Sequence, residues 1–476
     1  MRGLAPGTRA SAAGVRRVVV IGAGPAGLSA AHTLTEAGVD VTILERRPDL
    51  GGLGGTTVFE GRAGTYRFDF GGHRFITSNR DLLDLVENLV GDDFLFAERR
   101  SVIRLGGRTY DYPLSIKNLM ANAPVSLLAG ASYDLMRNVL RPQQLDADDD
   151  FASWTRARFG PTLYRTFFEG YTRKLWGIEP SELSGDWAEQ RISLVDLKDV
   201  ARRLLPGSGK GLRTYARTYR YPRLGFGMIF DRLAQRLQDE GASIQTGVTV
   251  TGLEVENGSV RSVATDQGTF GCDAVVSTMP LPDMVRITGG TSTLRFRGLR
   301  FFNMAMDVDD ISPNTWQYLS DPHVLATRLQ EPKRRSPEMA PQGKTSIMLE
   351  IPCDPGDRLW DLSDDDLFAE IRPQLASLNV DPAQASGEYF SARAANAYPL
   401  MDRSYGRERE RAFDHLKGIE NLYQCGRQGS FRYVFTDTAM EMGQMAAQAI
   451  IIREDLRTKI RNHRNERIII EAQSVA

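Results

Sequence analysis

Three valines and an isoleucine, Val18–Ile21, run straight into Gly22-Ala23-Gly24-Pro25-Ala26-Gly27, and the next strand-like stretch, Val39–Leu44, ends on Glu45. Glycines at that spacing turn a chain tightly out of a strand. They present free backbone N–H groups at a helix N-terminus, where the helix dipole meets a pyrophosphate. Glu45 falls where a carboxylate accepts a hydrogen bond from a ribose hydroxyl, with Arg46 beside it. A second set, Gly51-Gly52 and Gly54-Gly55, lies just beyond the acid. A plain NAD site lacks that set. It lets backbone approach a bulkier dinucleotide, so the cofactor indicated is FAD, bound non-covalently. Taken alone, the first glycine motif also fits a tight turn in an ordinary α/β unit.

The elements that must hold such a site are spread along the chain. Ser101–Leu105 and Arg108–Tyr110 form a hairpin signal around Gly106-Gly107. Residues 114–140 and 151–175 carry helical periodicity. The stretch Ala123–Leu140 is moderately amphipathic, which suits packing within the domain, a dimer surface or a monotopic membrane face. Strands are expected at Ser243–Thr251, Val260–Thr265 and Cys272–Thr278, with a helix at Phe226–Gln238. A second strand-rich block follows at Arg295–Val308, Trp316–Leu319, Val324–Leu329 and Thr345–Ile351, then a helix at Asp361–Leu375. The chain closes with strand Leu422–Cys425, a helix over Asp437–Ile452 and a basic amphipathic helix over Arg453–Arg467.

This pattern predicts an α/β protein: a Rossmann-like FAD-binding domain of the glutathione-reductase type with a mixed α+β substrate domain, both discontinuous in sequence. The expected division gives 16–75, 222–290 and 415–455 to the FAD-binding domain. Residues 76–221 and 291–414 go to the substrate domain, 1–15 to a disordered leader and 456–476 to a basic helical tail.

Composition narrows the function. The 476 residues can enclose a large cofactor, and 59 Lys+Arg against 60 Asp+Glu make no general case for nucleic acid. Cys272, Cys353 and Cys425 show no C-x-x-C spacing, so no metal site and no disulfide framework is expected. Buried thiols and a reducing, cytoplasmic location follow. No run reaches the roughly 18 apolar residues of a membrane span. The opening segment, with Arg2 and Arg9 among Ala, Gly and Ser, lacks a signal-peptide core.

Five segments carry a family resemblance: Asp69-Phe70-Gly71-Gly72-His73-Arg74-Phe75, Tyr171–Gly177, Trp187–Arg191, Thr327-Arg328-Leu329 and Gly426–Tyr433. Together they resemble the FAD-dependent UDP-galactopyranose mutases, within the protoporphyrinogen-oxidase-like and amine-oxidase-like flavoproteins. The resemblance covers roughly residues 16–450. It implies ring interconversion of a nucleotide-activated sugar through an adduct between the reduced flavin N5 and the sugar, with no net redox. The partners implied are a nucleotide sugar and a reductant for the flavin, with a homo-oligomer left open. The chain is longer than the compact bacterial mutases, in 114–220 and beyond 453, which leaves the nucleotide undetermined. An FAD-dependent oxidase or desaturase of the protoporphyrinogen-oxidase type is the alternative.

The resemblance also assigns residues. His73 lies over the flavin, although a lone histidine is otherwise a core residue. Arg191 and Arg328 hold the diphosphate, since a guanidinium fork binds phosphate oxygens bidentately; structural ion pairing is the other reading. Trp176, Tyr398 and Tyr433 line the substrate pocket, with core packing the alternative for Trp176. Tyr219 and Tyr221 fall near the mutases' uracil-stacking aromatic. Gly426-Arg427 faces the flavin or the diphosphate. Val248 matches an adenine-side backbone contact and is equally an apolar core residue.

Overall fold

The structure is a computed structural model and describes residues 15–112, 114, 116–140, 149–192 and 218–464; the expected leader and most of the tail lie outside them. Val18, Val19, Val20 and Ile21 are all buried, as β-branched residues are in a strand covered on both faces. Arg17–Ile21 is the middle of a five-stranded parallel sheet. Its order is 422–424, 274–277, 17–21, 40–45, 243–246, drawn from three distant stretches of chain. The first helix, Pro25–Glu36, packs on one face of this sheet with the long helix Thr436–Ile452. A three-stranded antiparallel sheet, 250–256, 259–265 and 268–271, covers the other face through Val250, Val260 and Val263 against Val19 and Ile21.

A seven-stranded mixed sheet forms the second body, in the order 385–399, 296–306, 345–352, 328–330, 316–319, 101–105, 108–111. Its second strand, Phe296–Met306, is buried at every position after Phe296. Beside it stands a helical block of 125–140, 151–163, 170–176 and 185–192. The fold is thus α/β with both bodies discontinuous in sequence.

Several elements differ from expectation for local reasons. The strand expected at Ser243–Thr251 breaks at Gly247, whose φ of +70° leaves strand geometry. Helix 151–175 is interrupted at Gly160 (φ +82°) and Pro161, then passes through a π-helical turn at Tyr164–Glu169. Of the expected strand Val324–Leu329 only Arg328 and Leu329 join the sheet, together with Gln330. The tail helix expected from Arg453 does not begin there: Arg453 is left-handed (φ +59°), and only Arg457–Arg461 is helical among the described residues. Not anticipated were the hairpin Thr56–Gly61/Gly64–Asp69, the helices Arg80–Val90 and Tyr405–Leu416, and the fifteen-residue strand Ala385–Pro399. No helix among the described residues is long and apolar enough to cross a membrane, and Cys272, Cys353 and Cys425 are buried and unpaired.

Candidate active site and cofactor cleft

A cleft of about 650 Å³ opens at the C-terminal ends of the parallel strands, between the two bodies. Gly22, Gly24, Pro25, Ala26, Glu45, Arg46, Gly52 and Val248 line it, and at its other end so do His73, Gly426 and Arg427. The glycines divide by role. A Cβ at Gly24 would meet no atom of the described residues within 4 Å, so that position is kept open toward the cleft. A Cβ at Gly27 would sit 1.9 Å from the Gly22 carbonyl oxygen, and one at Gly55 2.8 Å from that of Leu50. Those two glycines allow chain to pack on chain behind the wall. Gly52 rests against Gly24, where a Cβ would lie 3.4 Å from its Cα.

Among the described residues, no side chain caps the first helix, whose N-cap is Gly24 and first residue Pro25, nor the helix beginning at Thr436. The two helices cross so closely that a Cβ at Gly443 would lie 2.0 Å from the Ala26 carbonyl oxygen. Their uncapped N-termini therefore share one cleft, a favourable setting for a diphosphate. Buried Glu45 accepts from the backbone amides of Ala23 (2.8 Å) and Arg47 (2.9 Å), which fixes its carboxylate and leaves lone pairs for a hydroxyl. The Val248 amide donates to the Glu45 carbonyl (2.9 Å), so an adenine contact there would fall to the Val248 carbonyl. An open Gly24, two uncapped helix starts and an anchored acid fit a dinucleotide.

At the far end, Gly426 (φ +76°) touches the first helix, where a Cβ would lie 2.9 Å from Ala26 Cβ. Arg427 donates to the carbonyls of Val434 (3.2 and 2.8 Å) and Ala397 (3.4 Å) and lies 4.5 Å over the Tyr433 ring. His73 stacks on Phe226 at 5.0 Å, and its Nε2 donates to the Phe70 carbonyl at 2.9 Å. Burial pushes the imidazole down to about 4, with Asp69 opposing, so the ring is neutral at pH 7. With Nε2–H committed, Nδ1 holds the lone pair.

Behind Gly71-Gly72 runs a polar chain. Arg328 makes a bidentate pair with Glu350 (2.9 and 2.6 Å); Glu350 also accepts from Gln330 Nε2, and Gln330 Oε1 accepts from Arg335. Arg328 Nη1 takes no part in that pair and lies 3.6 Å from where a Gly72 Cβ would be. Trp176, Trp187, Tyr398 and Tyr433 form an aromatic cluster with centroids 4.7 to 5.9 Å apart. The buried Trp176 Nε1 has no partner among the described residues.

The structure thus brings Arg328, Tyr398, Trp176, Tyr433, Arg427 and His73 to one end of the cleft, the first four as a layer behind its lining. Arg191 follows Trp187 by one turn on the helix Gly185–Ile192; its side chain lies outside the described ones. Tyr219 and Tyr221 are buried beneath the Gly-Gly-His loop, and Tyr221 donates to Asp69 at 2.5 Å. Glu350, Gln330 and Arg335 were not anticipated. The available signal was a lone carboxylate, Glu350, inside the apolar run Ile347–Ile351, which requires a buried partner without naming it.

The model of the family "Flavin containing amine oxidoreductase" matches residues 25–451. A phytoene dehydrogenase from Streptomyces griseus is 28% identical over 398 residues, covering 73% of this chain and 75% of that one. A dTDP-fucopyranose mutase from Escherichia coli is 27% identical over 172 residues, 36% of this chain and 44% of its own length, so the chain spans under half of that relative. Among solved structures, reduced UDP-galactopyranose mutase superposes with a TM-score of 0.79 at 21% identity, covering 94% of this chain and 96% of that one. Cyclohexylamine oxidase from Brevibacterium oxydans gives 0.64 at 15%, over 92% and 99%. The chain is an FAD-dependent enzyme and belongs to the flavin-containing amine oxidoreductase family.

Proposed function

We propose that this enzyme interconverts the pyranose and furanose forms of a nucleotide-activated sugar. The observation that carries the reading is the chemistry behind Gly71-Gly72, where Arg328, Glu350, Gln330 and Arg335 are charged or polar and Tyr398 stands near Arg328. An oxidase or desaturase of apolar substrates calls for an apolar slot there. With a pyrophosphate at Gly22–Gly27 and a ribose at Glu45, the flavin end of FAD falls toward His73 and Arg427. When bound and reduced, the flavin supplies a nucleophilic nitrogen for the anomeric carbon.

The side chains orient and stabilise. Arg328 offers Nη1 to a diphosphate while Glu350 holds its fork, and Arg191 is the second cation. Burial pushes the Tyr398 phenol up to about 12, so it stays protonated and donates. Trp176 Nε1 is a donor for a sugar hydroxyl, and Tyr433 closes the same pocket. Neutral His73 orients the ring rather than carrying a proton.

The test is incubation of the purified yellow protein with nucleotide sugars, with and without dithionite, and chromatography of the products. Isomerisation only after reduction supports the proposal; none with any nucleotide sugar removes it. Arg328→Lys keeps a charge but loses the fork, and unchanged nucleotide-sugar affinity in that variant would remove the diphosphate role. A second reading, a dehydrogenase or oxidase, is favoured by the match to phytoene dehydrogenase over 75% of its length. Oxygen uptake with peroxide release would support it.

A further inference from the structure

Arg335 is 3% exposed, and its Nε and Nη1 have no hydrogen-bond partner among the described residues. Among the described residues its hydrogen bond is to a neutral group, Gln330 Oε1, with the Tyr219 phenol beside it. Taking a guanidinium out of water costs several kcal/mol unless a charge or bonds compensate it. Gly72 is what brings it near the cleft: Arg335 Nη2 lies 3.6 Å from where a Gly72 Cβ would be, and His73, the next residue, lines the cleft.

The charges around it do not cancel. Glu350 is held by Arg328. Asp69 is screened by Tyr221, whose hydroxyl donates to it while the Tyr221 ring lies 6.0 Å from the Arg335 guanidinium carbon. The Tyr219 phenol lies beside Arg335 and is kept neutral by burial, which raises its pKa, and His73 is neutral at pH 7. Arg427, on the cleft wall, bonds only carbonyls among the described residues. Among the described residues, two cations, Arg335 and Arg427, therefore stand against the carboxylate of Asp69.

We propose that Arg335 is an electrostatic tuning residue: its buried charge behind Gly72 stabilises the anionic reduced flavin and raises the cofactor's reduction potential. In that couple the flavin takes up two electrons and one proton, supplied in the test by dithionite and water, and the extra negative charge faces the net positive end of the cleft. The proposal rests on FAD lying with its flavin end at His73, and holds whether the enzyme is an isomerase or a redox enzyme.

Potentiometric titration of the holoenzyme against reference dyes tests it. Arg335→Met, of similar length and uncharged, is expected to lower the reduced-to-oxidised ratio at fixed potential at least tenfold, about 30 mV for a two-electron couple. An unchanged potential in a variant that retains FAD overturns the proposal. If the variant loses FAD, the wild-type protein decides. One proton per two electrons gives a slope of about 30 mV per pH unit between pH 5.5 and 7, and a slope of about 60 mV throughout, meaning a neutral reduced flavin, overturns it. Loss of isomerase activity with the slope intact would instead count against the sugar reading alone.

Discussion

Gly24 and Gly27 belong to one turn yet act in opposite directions. The open space at Gly24 predicts that Gly24→Ala folds with stability within about 0.5 kcal/mol of the parent but holds FAD poorly, because its methyl stands where the ligand must approach. Gly27→Ala puts a methyl on the Gly22 carbonyl and should lower the unfolding midpoint itself. Urea melts of the apoproteins with flavin-fluorescence titration separate the two, and equal behaviour would refute the division. His73 adds a pH dependence. Its folded pKa of about 4 lies below the unfolded value near 6.5, so between those values the unfolded chain binds more protons and stability falls as pH falls. Against His73→Phe, the wild-type apoprotein should lose about 2–3 kcal/mol more between pH 7 and 4; parallel curves would exclude this. The glycines and Glu45 were legible because their motif is local. Arg335 was not: Gln330 is five residues away, but Gly72 and Tyr221, which set its place behind the cleft, meet it only through tertiary structure.

At the scale of elements, legibility followed how much of an element's identity is its own. The buried strand Val18–Ile21 announces itself by composition. Ala385–Pro399 is rich in Ala and Ser and is a strand because it pairs with Phe296–Met306, a contact about ninety residues away in sequence. The segment 319–327 likewise has little regular structure of its own, and a lysine from another element holds it. The three N–H donors of Lys174, on the helix Gly170–Trp176, are shared among four carbonyls, those of Leu319 (2.7 Å), Asp321 (3.0 Å), Val324 (3.1 Å) and Ala326 (3.0 Å). Burial pushes its ammonium down to about 8, still charged at neutral pH. Because the segment leads directly into Thr327 and Arg328, Lys174 ties the helix bearing Trp176 to the strand bearing Arg328. Lys174→Met should strand these carbonyls at a cost of about 2–4 kcal/mol. It should also open 319–327 to limited proteolysis; wild-type resistance to protease would show that the cage is not what holds the segment.

Across the whole molecule, the cleft is where the two bodies meet. Gly22–Ala26 and Glu45 come from the parallel sheet, Arg393–Asn396 from the edge of the seven-stranded sheet, and Gly426–Ala439 from the chain that closes both. A ligand touching all three belongs to the native state only, so its binding energy is also energy of assembly. Linkage then requires FAD to stabilise the folded protein by about 2.7 kcal/mol at a hundredfold excess over Kd, and by a further 1.4 kcal/mol or so per decade of free FAD. Calorimetry of the apoprotein titrated with FAD should therefore show a melting temperature that climbs with the logarithm of concentration. FMN, which lacks the adenosine that would reach Glu45 and Val248, should give a much smaller shift. An equal shift from FMN would mean that the Glu45 end of the cleft contributes nothing to holding the cofactor, leaving the closely spaced glycines of the first motif as a device for folding rather than binding.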